Sequence, residues 1–136
     1  MNYPITINGV KFERMILASD EAEIAELLHA GLPENGGIIC VFPQEERLSF
    51  WMKDIPADLE IVFINNRNHI VGVKTMKAEP PRGENESEVD YENRLPNYSS
   101  GCPARAAIEF SCGTWEKLHL KIGGRFPVDL SRLWKK

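Results

Sequence analysis

Glu60 and Glu109 each interrupt an apolar run, Leu59–Ile64 in the first case and Ala104–Phe110 in the second. Read as strands, whose side chains alternate between two faces, these runs place Glu60 beside Val62 and Ile64, and Glu109 beside Ala107. A carboxylate among apolar neighbours must be paired, hydrogen-bonded or set at the rim of a pocket, because uncompensated burial is costly. Lys53 and Arg105 are the candidate partners. Arg105 and Glu109 are four residues apart on one face, roughly 13 Å along an extended backbone. Lys53, from another strand, is therefore expected to be the nearer partner of at least one Glu. Two such acids could act as general acid and base in a hydrolysis or elimination. They could equally hold a polar ligand, or each could cap a loop or close one ion pair, because structural ion pairs imitate sites. Trp51 stands next to Lys53; its size and apolar flanks favour a core position over a ligand stack.

Other chemistries find little support. His29, His69 and His119 show no H-x-x-x-H or H-x-E spacing, and no cysteine lies at zinc-ligand distance, so no metal and no cofactor are expected. Cys40 falls mid-strand and reads as an inert buried thiol, and no activating base accompanies Cys102 or Cys112. Gly123-Gly124 reads as a turn, since no phosphate-loop pattern surrounds it. The net charge of −4 argues against a generic nucleic-acid binder. No run of eighteen apolar residues spans a membrane. An odd cysteine count and the lack of a basic start with an apolar stretch point to a reducing, cytoplasmic compartment.

The elements that must position these residues are mostly strands. At 136 residues the chain is expected to be a single domain, 1–136, with a core that needs no disulfides. Asn8-Gly9 between Ile5-Thr6-Ile7 and Val10-Lys11-Phe12 predicts a hairpin with a type I′ turn. Met15–Ala18 continues as a strand. Asp20 and Glu23 form a capping-box pair, and Ala22, Ile24, Ala25, Leu27 and Leu28 make a helical stripe that Gly31 and Pro33 end. Ile38–Phe42 is a buried strand stopped by Pro43, residues 44–47 a charged turn, and Leu48–Met52 a new strand. Leu59–Ile64 and His69–Met76 form a hairpin. Residues 77–100 are acidic and rich in Pro, Gly and Asn, and read as a long loop or flap. A short helix from Thr114, a last edge strand over Phe126–Leu130 and a basic tail, 131–136, follow. The expected core is Phe42, Phe50, Ile61, Phe63 and Ile108. This pattern predicts a mainly β domain, a sandwich or partly open barrel with one or two short helices.

The stretch Gly37-Ile38-Ile39-Cys40-Val41-Phe42-Pro43, followed by Phe50-Trp51-Met52-Lys53, resembles the signature of the domain of unknown function 192 family. Pro103-Ala104-Arg105, Ile108-Glu109 and Gly113 resemble a later element of that family, and Ile122-Gly123 its closing turn. Glu60 stands where the family pattern has Asp, and Gly124 where it has another. The resemblance implies a compact β domain and no established activity. Three functions follow for testing. The first is a non-catalytic binding module whose small polar cleft is lined by Trp51, Lys53, Glu60, Glu109 and Arg105. The second is a hydrolase or lyase using the paired carboxylates. The third is an accessory domain that binds a protein through its acidic flap and basic tail. The expected partner is a small polar molecule or a protein.

Overall fold

A computed structural model describes residues 1–134. Asn8 and Gly9 take positive φ, as the two-residue turn requires, and join β1 (Ile5–Ile7) to β2 (Val10–Phe12). β3 (Arg14–Leu17) leads into α1 (Glu21–Ala30), where the Asp20 side chain accepts from the Glu23 N–H at 2.8 Å. β4 (Gly36–Phe50) then pairs in parallel with β3, the pairing that needs a crossover, which α1 supplies. β5 (Leu59–Ile64) and β6 (Ile70–Met76) form the expected hairpin. α2 (Glu88–Asn93), β7 (Tyr98–Ser111), α3 (Thr114–Leu118) and a final 3-10 turn (Ser131–Trp134) complete the chain.

The main sheet runs in the order β3-β4-β7-β5-β6, and β1-β2 form a separate hairpin. The protein is mainly β, as its strand-rich patterning implies, but the sheet stays open with β3 and β6 at its edges rather than closing as a barrel. Apolar side chains cover both of its faces. On one face Val62, Ile64, Ile108 and Phe110 pack with Ile5, Ile7 and Phe12 of the hairpin and with Leu118 and Phe126. On the other, Ile38, Cys40, Ile61, Phe63 and Ala107 pack with Leu28 of α1 and with Leu48, Met52 and Ile55. Double-sided burial explains why Leu59–Ile64 reads as an almost unbroken apolar run. The sheet therefore separates Ile108 from Ile61 and Phe63, which were expected in one core. Phe42 and Phe50 are only half-buried.

Three sequence expectations are revised. Residues 44–47 are not a turn: β4 passes through them as one 15-residue strand, with register shifts against β7 between Val41 and Glu46 and between Arg47 and Ser49. Pro43 and the charges are tolerated because they fall at a bulge and are exposed. Phe126–Leu130 is not a strand either. The buried Asn68 side chain holds it instead, donating to the Phe126 and Val128 carbonyls and accepting from the Leu130 N–H. Lastly, the stretch 77–100 contains α2, capped by Ser87, and its last residues open β7. Tyr91, 2% exposed, anchors α2: its hydroxyl accepts from the Asp54 N–H at 2.9 Å and donates to Asp54 Oδ1 at 3.2 Å. Ser131–Trp134 of the basic tail packs back on the domain, while Lys135 and Lys136 lie outside the described residues.

Candidate functional site

The register of β5 and β7 decides what the two acids can do. Glu109 stands opposite Ile61, and Glu60 opposite Phe110. Cross-strand partners share a face and successive residues do not, so the sheet divides the two carboxylates. They form no acid–base pair.

Glu109 is 0% exposed, flanked by Ile38 and Ile61. The Cys40 thiol donates to its Oε2 at 3.9 Å, and Oε1 has no partner. Burial pushes its carboxyl up to about 7, against a smaller opposing effect of the thiol. Burial also raises the Cys40 thiol well above its ordinary value, and the nearby Glu109 carboxylate adds to that. Glu60 lies half-buried on the hairpin face, where Oε1 accepts from the Trp115 N–H at 2.7 Å. It caps the first turn of α3, whose preceding residue, Gly113, offers no side-chain cap.

Lys53 pairs with neither acid, contrary to expectation. Its ammonium is held between Glu88, at 2.7 Å, and Glu92, both on α2. The hydrogen bonds it donates, to Glu88 first and Glu92 second, raise its pKa, and Lys53 in turn lowers that of Glu88. Arg105 does not meet Glu109 either. The β4 bulge falls opposite it, and its guanidinium donates to the Phe42 carbonyl at 2.6 Å, Asn66 Oδ1 at 2.9 Å and the Trp134 carbonyl at 2.6 Å. It also lies 5.5 Å from the Trp134 ring centroid, and so fastens the C-terminal turn to the sheet.

Trp51 is 41% exposed, not a core residue. It borders a groove of about 620 Å³ between α1 and the second half of β4. Ile24, Ala25 and Leu28 of α1 form one wall; Phe42, Leu48, Phe50 and Ile55 supply further apolar lining. Glu21, Glu46, Arg47 and Lys53 bring charge to it, and the Lys53 ammonium sits 5.7 Å from the Trp51 ring centroid. The groove thus gathers Trp51 and Lys53 of the five expected site residues. Glu60 and Arg105 are engaged elsewhere, and Glu109 is sealed in the sheet. Sequence reading missed the α1 wall and Arg47. The signal was the apolar stripe of α1, of which only Leu28 is fully buried. Among the described residues no cluster of three or more His, Cys, Asp or Glu is placed to hold a metal ion, and no helix is long and apolar enough to cross a membrane.

An open, mainly antiparallel five-stranded sheet with one βαβ crossover and a detached hairpin defines the class of domain. Residues 5–128 match the DUF192 family, described as an uncharacterised ACR, and the chain belongs to that family. No curated protein matches the chain. Two solved structures are similar to it. One, from Novosphingobium aromaticivorans DSM 12444, is a protein of unknown function, 23% identical, with 90% of this chain and 81% of that one covered and a TM-score of 0.64. The other, from Sinorhizobium meliloti 1021, is described as a candidate transcription regulator. It is 22% identical, with 82% and 78% covered and a TM-score of 0.61. At these identities the likeness is one of fold.

Proposed function

We propose that this chain is a non-catalytic binding module whose ligand lies in the groove between α1 and β4. The observation that carries the reading is Trp51, an exposed aromatic ring at a groove lined by the half-buried rings of Phe42 and Phe50. Apolar and aromatic walls with a few charges at the edge suit a ligand with an apolar body and a polar end. The small polar cleft expected from the sequence becomes, in this reading, an apolar groove with a polar rim. An enzyme working through paired carboxylates is disfavoured, because Glu60 and Glu109 lie on opposite faces. The structurally similar Sinorhizobium protein is described as a candidate transcription regulator; in this chain the acidic balance favours sensing a ligand over touching nucleic-acid phosphates.

Nitrogen-15 correlation spectra recorded during titration with a fragment library test the reading. Fragments are expected to shift the Trp51 indole resonance and the amides of Leu28, Leu48 and Ser49, and to leave Trp115 and Trp134 unmoved. Ala25→Arg, which fills the groove from an exposed position on α1, should abolish those shifts. A library that moves no groove resonance would overturn the proposal.

A further inference from the structure

We infer that the groove takes an extended segment of a partner polypeptide, added to β4 as a further strand along the open edge of residues 46–50. The inference deepens the binding-module reading and rests on it.

β4 is bonded to β7 at positions along most of its length, but on its other side only to β3, whose register ends at Leu17 against Ile39. Past the adjoining Ala18 N–H, which reaches the Ile39 carbonyl, no strand among the described residues lies on that side. The Leu48 N–H turns toward β7, where Ser100 Oγ accepts it at 2.9 Å. Alternation along a strand then turns the N–H and C=O groups of Arg47 and Ser49 to the open edge. The groove lies there. Its lining includes every residue from Glu46 to Trp51. Successive strand residues point to opposite faces, so a cavity lined by all of them runs along the strand's edge and not over one face. A row of free main-chain donors and acceptors recognises the main chain of another extended segment, and the flanking pockets read its alternate side chains.

The lining sets the partner's chemistry. Ile24, Leu28, Leu48 and Ile55 call for apolar side chains. Glu21 and Glu46 make no ion pair among the described residues, and Lys53 is neutralised in a cluster where it and Arg82 face Glu88 and Glu92. Arg47 is then the one cation of the lining without a carboxylate partner among the described residues. The unpaired charges of the lining are then two acids, Glu21 and Glu46, against Arg47, and this small acidic excess fits a segment in which apolar residues alternate with Lys or Arg.

A phage-displayed library of random decapeptides, panned against the full chain, supplies the probe. The expected selection alternates apolar with basic residues, and synthetic copies shift the Trp51 and Ser49 resonances. N-methylation of every second amide, in the register that faces β4, should weaken binding at least tenfold, while methylation in the other register should not. Ser49→Pro removes one edge N–H and should weaken binding by the same order. If that variant does not fold, the methylated peptides decide alone. Selected peptides that tolerate methylation in both registers, or that bind as helices, overturn strand addition. If fragments move Trp51 but no decapeptide does, this inference fails and the module reading stands. If neither moves it, both fail.

Discussion

Sealed between Ile38 and Ile61 with one oxygen unbonded, the Glu109 carboxyl keeps its proton up to about pH 7. Unfolding returns it to an ordinary 4.5. A folded pKa above the unfolded one means that the group favours the native state fully below pH 4.5. That contribution is lost as pH rises through 7. The gap corresponds to about 3 kcal/mol. Glu109→Gln cannot ionise. It should be more stable than the parent at pH 8, by up to about 3 kcal/mol, and lose that advantage at pH 4.5. Urea unfolding at both values checks this, and a difference that does not change with pH would contradict it. Glu60 predicts a smaller, different effect. Removing its bond to the Trp115 N–H leaves α3 uncapped, so Glu60→Ala should cost about 1 kcal/mol. That each acid sits on an apolar strand was legible in the sequence. What each one bonds to was not, since both partners, Cys40 and Trp115, lie far along the chain.

At the scale of elements, local signals were read well and long-range ones poorly. α1 begins and ends where Asp20 and Gly31 put it, because capping is settled within one turn of chain. The break expected at Pro43–Arg47 was a misreading, since Pro and charges also suit an exposed, bulged strand edge. The segment 77–100 teaches the same lesson from the other side. Its acids suggested a solvated loop that could be shortened between Arg82 and Asn93. In the fold three of the acids between Arg82 and Asn93 are answered by cations: Glu88 and Glu92 hold Lys53, and a two-pronged contact from Arg94 to Glu86 lowers that carboxyl to about 2. Tyr91 is buried among them. Deleting 82–93 should therefore lower the melting temperature. Tyr91→Ala alone should cost about 3 kcal/mol, close to the cost of emptying a buried aromatic site. A deletion variant that melts like the parent would show that α2 adds nothing to the domain.

For the whole molecule the sheet is the organising barrier, with α1 and the loop after β4 on one face and the β1-β2 hairpin with the segment that follows β7 on the other. Phe63 lies at its centre, fully buried and 6.0 Å from the Phe50 ring at the groove. Phe63→Ala should cost about 3–5 kcal/mol by denaturant titration. It should also disturb the groove amides, because Phe50 loses the ring it rests on; a loss below about 1 kcal/mol would mean that the site collapses freely. By itself the sequence determined most of the strands, the capped helix, the mainly β class and the family, because period-two alternation, turn residues and caps act over a few residues. Tertiary structure alone decided that the two carboxylates fall on opposite faces, that Lys53 answers α2, and that Trp51 borders an open groove. Alternation fixes faces within one strand. Which face meets which across strands depends on register and on a bulge opposite Arg105, and those are set by pairing residues more than forty positions apart.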